Sequence, residues 1–298
     1  MKSGFIAVVG RPNVGKSTLV NKIVSEKVAI VSDKSGTTRE NIKGILNYKE
    51  NQYIFIDTPG IHKPRHLLGE FMTNKAIGIL KEVDVIMFLL DGTQEISTGD
   101  MFVLERILEA KNTPRVLVLN KIDKLSDDAL TKKRIEIKEK FGEFDDYVEI
   151  SGEYGIGVHK LVDTLTKYLA DDIMYYPEDM YTDMPTYRII TEIVREKILL
   201  KTRDEIPHSV AIEILNVKHH ESSKDKFDVN IYVEKKSQKG IIIGKNGSLL
   251  KEIGIDARKD IEKLLDKEIY LNLWVKVKDD WRKKKPFLRE LGYVMEDE

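Results

Sequence analysis

The run "FIAVVG" passes straight into "GRPNVGKS", Gly10 to Ser17, and a helix-like stretch follows. No other feature restricts the fold of this chain so tightly, because strand, glycine-bounded loop and helix in that order open a parallel αβ layer. Gly10 and Gly15 let backbone N–H groups wrap a phosphate chain, and the helix N-terminus beyond them adds a favourable dipole. Lys16 reaches the β- and γ-phosphates and Ser17 suits Mg²⁺, with Asn13, Val14 and Thr18 completing the candidate loop. A glycine-rich turn with a surface lysine is the bland alternative, and the strand–loop–helix setting argues against it. The pattern alone does not choose between ATP and GTP.

Short apolar runs and longer amphipathic ones alternate over the first 170 residues or so, as in a mainly parallel sheet with helices on both faces. After "FIAVVG" the strands read "QYIFID", "DVIMFLLD", "RVLVLN" and "YVEIS". Between the first two lies "IKGILNY", Ile42 to Tyr48, and only Lys49 to Asn51 separate it from "QYIFID". That gap is too short for a crossover helix, so the pair is an antiparallel hairpin on an otherwise parallel sheet. Past "YYPEDMYTDMP", Tyr175 to Pro185, the order becomes α-β-β-α-α-β with a tail helix, a smaller α+β domain. We place a first domain at 1–172, a linker at 173–186 and a second domain at 187–298.

With 41% hydrophobic residues the chain can bury a sizeable core, and its length suits two domains. Its longest apolar runs, such as Val85 to Leu90, fall far short of the roughly 20 residues that cross a bilayer. Gly10 to Asn13 end the opening apolar run before a signal-peptide core of about 7–15 residues forms. Zero cysteines exclude disulfides and thiolate metal sites, and a reducing cytoplasm is the simplest home. From Tyr181 onward there are 24 Lys/Arg against 22 Asp/Glu, a balance too weak to signal nucleic acid by charge alone.

Two further motifs choose the base. Asp57 ends "QYIFID" within "DTPG", where a strand-end carboxylate holds Mg²⁺ through water and the Gly60 N–H faces the γ-phosphate. "NKID", Asn120 to Asp123, ends another strand, at the edge where open αβ sheets bind ligands. A carboxylate at Asp123 accepts both N1–H and N2–H of guanine, a pair that adenine does not present. Asn120 reaches N7 and braces the loop, and Lys121 lies along the base plane. The expected substrate is therefore GTP. An ATPase is the rival reading, and a protein that holds nucleotide without turning it over is another.

At this point the chain closely resembles the Ras-like P-loop GTPases over about residues 4–170. "GRPNVGKS", "GTTR" (Gly36 to Arg39), "DTPG", "NKID" and "SGE" (Ser151 to Glu153) stand where the guanine-nucleotide motifs of that family stand. The resemblance implies a switch threonine that closes over Mg²⁺ and the γ-phosphate: Thr38, with Thr37 as runner-up. Lys16, Thr38 and Gly60 would then carry the catalytic roles, and Ser17, Thr38 and Asp57 the metal. Ile61 follows "DTPG" where Ras has the glutamine that orients the attacking water, so hydrolysis cannot use that side chain. In related members an asparagine at the position of Asn13 ligates K⁺, which can substitute for an arginine finger worth roughly 10³–10⁵-fold in rate. Slow turnover without a partner or K⁺ is the expectation. "SGE" departs from the usual Ser-Ala-Lys or Ser-Ala-Leu. Ser151 and Gly152 are kept in the GTP site, with the Gly152 N–H free for guanine O6 and a looser loop costing about 0.5–1 kcal/mol.

A second glycine–lysine loop, "IIIGKNGSLL", is a different device. Only three residues separate Gly240 from Gly244, and Asn246 follows Lys245 where a hydroxyl would be needed for Mg²⁺. What remains is a G-x-x-G loop, Gly244, Lys245, Asn246 and Gly247, in the setting of a type II KH module, whose loop clamps about four nucleotides of single-stranded RNA. The GTPase half joined to this module resembles the Era family over essentially the whole chain, including "GIDARKDIEKLL", "LWVKVKDDW" and "LRELGYV". That resemblance implies a GTPase of ribosome assembly that binds the 3′ region of 16S ribosomal RNA in the small subunit, not DNA. It implies a cytoplasmic protein, with some members peripherally associated with the inner membrane. Arg258 and Lys259 are candidate extra RNA contacts. Trp274 reads as core, Trp281 either way, and His62 and His66 as switch-loop histidines rather than general bases.

Overall fold

A computed structural model describes residues 1–293 apart from Ser35, Arg65, Asp171 and 220–223. Strand β1 (Ser3–Val9) is buried at every position but Phe5, which is why it reads as a continuous apolar run. It pairs in parallel with β3 (Asn51–Asp57) on one side and β4 (Val85–Asp91) on the other. Beyond β4 come β5 (Arg115–Asn120) and β6 (Asp146–Glu149), also parallel. β2 (Ile42–Tyr48) closes the opposite edge antiparallel to β3, as its short connection requires. The turn is Lys49 and Glu50 alone, with φ of 49° and 62°, the two left-handed residues of a type I′ hairpin.

Helices α1 (Lys16–Val24), α2 (Leu67–Gly78), α3 (Thr98–Leu108), α4 (Asp127–Phe141) and α5 (Val158–Leu165) belong to this half of the chain. Leu19, Val20 and Ile23 of α1 and Leu161, Val162 and Leu165 of α5 bury against one face of the sheet. Ala76 of α2, Val103 and Ile107 of α3 and Ile137 of α4 bury against the other. Together these give the expected αβ sheet with one antiparallel strand.

The stretch expected to be a linker is strapped to the sheet edge. Gln52 receives the Tyr175 and Tyr176 N–H groups on its Oε1 and donates its Nε2 to the Tyr176 carbonyl. The Ile45 N–H on β2 donates to Tyr181 O at 3.0 Å, Lys43 pairs with Asp183 at 2.7 Å, and Phe5 packs edge-on against Tyr175. Tyrosine rings and a buried glutamine thus cover what would otherwise be an open strand edge. The first compact unit accordingly runs to Asp183 and comprises Met1–Val31, Thr38–Arg65 and Met72–Asp183.

The second unit is Met184–Glu298 together with Ser32–Thr37 and His66–Phe71. It holds α6 (Thr186–Lys201), α7 (Ile206–Ser209), β7 (Ala211–Lys218), β8 (Asp225–Val233), α8 (Lys236–Ile243), α9 (Ser248–Leu265), β9 (Ile269–Val277) and α10 (Lys285–Glu290). β7 and β8 are antiparallel, and β9 adds to β8 in parallel. This is the α-β-β-α-α-β order of the KH module, with the one-turn helix α7 inserted where Pro207 starts a turn inside "EIPHS". Ile193, Val194 and Ile198 of α6 and Ile253, Ala257 and Ile261 of α9 cover one face of the sheet. The "LRELGYV" segment is described through Tyr293, and Val294 lies outside the described residues.

Trp281 is core: it is fully buried, and its indole N–H donates to Ser209 O at 2.7 Å. Trp274 is not core, contrary to expectation. It stands 44% exposed because its side of β9 points away from the helices. Among the described residues no helix is long and apolar enough to cross a membrane.

Candidate functional site

The phosphate loop, "DTPG", "NKID" and "SGE" follow the carboxyl ends of β1, β3, β5 and β6, and Thr38 of "GTTR" joins them from the loop before β2. The loop after β1 is shaped by left-handed backbone. Asn13 has φ 67° and Gly15 φ 100°, and a Cβ on Gly15 would lie 2.4 Å from Asn120 Nδ2. Glycine is required there because the loop presses against the base-side asparagine. Lys16 lies across the loop mouth and donates to the carbonyls of Gly10 at 3.2 Å and Arg11 at 3.0 Å. Burial lowers its pKa to about 8 against the opposing pull of Asp57, so anionic phosphate is the partner its ammonium lacks.

Ser17, Thr38 and Asp57 converge on one point. Ser17 Oγ donates to Asp57 Oδ2 at 2.6 Å, Thr38 Oγ1 donates to the same oxygen at 3.2 Å, and the two hydroxyls are 3.0 Å apart. Asp57 Oδ1 is buried with no hydrogen-bond partner. Burial raises the Asp57 pKa, against the pull of Lys16, Ser17 and Thr38. Two hydroxyls and a carboxylate with an orphaned oxygen are a donor set that fits Mg²⁺, which takes few protein ligands when it also binds phosphates. Among the described residues no group of three His, Cys, Asp or Glu side chains offers an alternative metal centre. Thr37, the runner-up, is turned elsewhere: its hydroxyl donates to Lys34 O at 2.6 Å and lies 2.7 Å from Ser32 Oγ.

Asn120 ties three loops together. Its Nδ2 donates to Val14 O at 2.9 Å, and its Oδ1 accepts from the N–H groups of Lys121 at 2.8 Å and Gly152 at 2.9 Å. The Gly152 N–H, expected to be free for guanine O6, is therefore committed to Asn120. Lys121 donates to Asn13 O at 3.0 Å and pairs with Asp91 Oδ2 at 2.6 Å, which stretches its alkyl chain between the two loops. Asp123 is exposed and has no hydrogen-bond partner among the described residues, so its carboxylate is available. Ser151 is fully buried, and its hydroxyl accepts from the Tyr154 N–H. A Cβ on Gly152 would meet only ordinary contacts, the nearest 3.4 Å to Asn120 Oδ1, so this loop does not need glycine. Gly152→Ala is expected to raise the melting temperature by about 1–3 °C, from about 0.4–1 kcal/mol of lost unfolded-state freedom. A thermal shift in the opposite direction refutes that reading.

Two supports went unread in the sequence. Asp91, at the end of β4, orients Lys121; its pKa is lowered because Lys121 and Thr93 outweigh the burial that pushes it up. Asp100 caps α3 reciprocally with Ser97 and also accepts from Arg11 Nε at 2.7 Å, anchoring the phosphate loop. An acidic residue three after a serine is a capping signal, but its grip on Arg11 has no local signature.

The "DTPG" turn packs on the phosphate loop. A Cβ on Gly60 would lie 2.7 Å from Pro12 N, and the Ile61 N–H donates to Gly10 O at 3.3 Å. Ile61 is fully buried in the core and cannot handle water. His62 Nδ1 lies 2.8 Å from Gly60 O, and His66 Nδ1 accepts from the Gly69 N–H at 3.0 Å at the start of α2, so neither ring is placed as a general base.

In the second unit α8 ends at Gly244 (φ 73°), and Asn246 (φ 52°) and Gly247 (φ 78°) keep the chain left-handed until α9 starts. Gly244 could not carry a Cβ, which would lie 2.8 Å from Leu249 Cβ. Lys245 and Asn246 are exposed at the N-terminus of an 18-residue helix, where anions are favoured. Ile241, 53% exposed, adds an apolar surface beside the loop that sequence reading missed. Arg258 and Lys259 lie more than two turns further along α9, roughly 15 Å from the loop by helical rise, and Arg258 faces Glu262 at 3.8 Å. The structure does not bring these two together with Lys245.

Residues 5–121 match the family of 50S ribosome-binding GTPases, and residues 205–282 match the KH domain. The GTPase Era of Fusobacterium nucleatum is 70% identical over 99% of this chain and all of its own. That of Staphylococcus haemolyticus is 46% identical over 98% of this chain and 97% of its own. Aquifex aeolicus Era, solved with GDP and AlF4⁻, superposes with a TM-score of 0.94 at 41% identity, covering 99% of this chain and all of the other. An Era solved with MgGDPNP and nucleotides 1506–1542 of 16S ribosomal RNA gives 0.95 at 40%, with the same coverage. With both domains matched in order and nearly full length aligned, this chain belongs to the Era family of GTPases.

Proposed function

We propose that this GTPase is a Mg²⁺-dependent switch that binds the 3′ region of 16S ribosomal RNA through Gly244 to Gly247 and times a step in small-subunit assembly. The observation that carries the reading is the convergence of Lys16, Ser17, Thr38 and Asp57 at one end of a site whose other end presents Asp123. Lys16 would hold the β- and γ-phosphates, and Ser17, Thr38 and Asp57 would hold the metal. Bound Mg²⁺ neutralises charge that develops on the phosphate oxygens. Gly60 would offer its N–H to the γ-phosphate, and Asn120, Lys121, Asp123, Ser151 and Gly152 would shape the guanine end. The Era solved with MgGDPNP and 16S ribosomal RNA supports both ligands by kinship. A cytoplasmic location, with peripheral association at the membrane, belongs to the same proposal.

Single-turnover hydrolysis of GTP with and without RNA of nucleotides 1506–1542 tests it. Turnover that occurs and responds to RNA supports the switch. Nucleotide that stays uncleaved under both conditions supports a constitutive RNA scaffold instead. Because Ile61 is buried and offers no polar group, basal turnover in Na⁺ buffer is expected to be slow and to rise when K⁺ replaces Na⁺ through Asn13. Phosphate release checks this, and rapid turnover in Na⁺ without RNA defeats it.

A further inference from the structure

On β8 and β9 the side chains from Phe227 to Val233 and from Ile269 to Val277 at every second position point into the core under α6, α8 and α9. The alternate positions point away. On β9 the outward row is Tyr270, Asn272, Trp274 and Lys276. The C-terminal segment covers one end of this outer face, where Phe287 packs edge-on against Tyr232 at 4.9 Å. Beyond it Trp274 is 44% exposed and Tyr270 56%. Four residues apart on one strand, the two rings stand about 13 Å from each other. That is too far for one base to touch both and suits successive nucleotides of one extended strand.

The charges around the rings differ in availability. Of the carboxylates on the strands of this face, Asp228 accepts from Asn272 at 2.8 Å, and Glu213 accepts from Tyr232 at 2.7 Å. Lys276, two residues past Trp274, and Lys218, on the same face of β7, are exposed and form no ion pair among the described residues. Open ammonium groups beside exposed aromatic rings complement a polyanion with planar bases, and they oppose a purely apolar partner. β9 is an edge strand of its sheet, and α8 and α9, which carry the Gly244 to Gly247 loop between them, pack against it.

We propose that this outer face is a stacking platform for single-stranded RNA leaving that loop around the β9 edge. Bases stack on Trp274 and Tyr270, and Lys276 and Lys218 meet the backbone. The proposal rests on the RNA-binding reading above and extends the footprint to the opposite side of the sheet.

The chain's tryptophans number two, and Trp281 is fully buried, so emission that acrylamide can reach belongs to Trp274. Titrating the full chain with RNA of nucleotides 1506–1542 is expected to quench that emission and shield it from acrylamide. Trp274→Ala should remove the change and weaken RNA affinity about tenfold, the loss of one base stack, with basal GTP hydrolysis unaltered. Trp274→Phe should keep most of the affinity, which separates the ring's role from a folding defect. If Trp274→Ala binds this RNA as the parent does while Lys245→Glu fails to bind, the platform falls and the RNA reading stands. If the parent itself does not bind the RNA, both fall. Shielding of Trp274 that grows with protein concentration in the absence of RNA overturns the platform in favour of self-association.

Discussion

Asp123→Asn is expected to weaken GTP and GDP by about 10²–10⁴-fold and to make xanthine nucleotides the tighter ligands. The carboxylate would accept two guanine donors, N1–H and N2–H, and hydrogen bonds to a charged group contribute about 1.5–3 kcal/mol each. In the variant, one of the side-chain atoms is a donor facing the donor N2–H. Xanthine carries a carbonyl at C2 instead, and that oxygen accepts from the new amide. The prediction is specific because Asp123 is exposed and its side chain makes no hydrogen bond among the described residues, whereas Asn120 and Lys121 brace several loops at once. Replacing either of those would weaken nucleotide binding through collapse of the loops and leave the base preference unread. Competition binding with GDP, XDP and ADP makes the measurement. A variant that keeps its guanine preference, or a parent that binds ADP as well as GDP, overturns the base assignment.

The contrast between Asp123 and Asn120 also marks what the sequence could reveal. Loops that contact a ligand do so with a few residues in fixed register, so "GRPNVGKS", "DTPG" and "NKID" are legible as strings. The groups that hold them are not, because they come from other strands. Asp91 reaches Lys121 from β4, and Asp100 reaches Arg11 from the start of α3. Neither carries a motif. The Gly152 N–H illustrates a related limit: its direction depends on where Asn120 sits, 32 residues earlier.

The hairpin was legible because three residues cannot cross a sheet. The strap at residues 173–183 was not, since its polar and proline-containing composition reads as linker, and Gln52, only 1% exposed, meets it from 123 residues earlier in the chain. Trp274 was misread for a reason intrinsic to β-strands. Alternation identifies two faces but not which of them a helix will cover, and on β9 the aliphatic row at Ile269, Leu271 and Leu273 won that place.

Lys245→Glu is expected to weaken binding of RNA of nucleotides 1506–1542 by about 10²-fold at moderate salt while leaving GDP affinity unchanged. Lys245 is exposed at the tip of a loop whose backbone is fixed by Gly244 and Gly247, so the substitution has no buried partner to disturb. The effect should be electrostatic: one phosphate contact is lost and an anion is set at a helix N-terminus that favours phosphate. It should therefore appear in the salt dependence as well as in the affinity. For a single strand the slope of log affinity against log salt changes by about 0.7 per phosphate contact, and the variant's slope should be shallower by about that amount. Lys245→Ala should show the same change in slope with a smaller loss of affinity, since it removes the contact without adding repulsion. A loss of affinity with an unchanged slope would mean the loop had been deformed rather than discharged. RNA binding that survives both substitutions would move the contact away from this loop altogether.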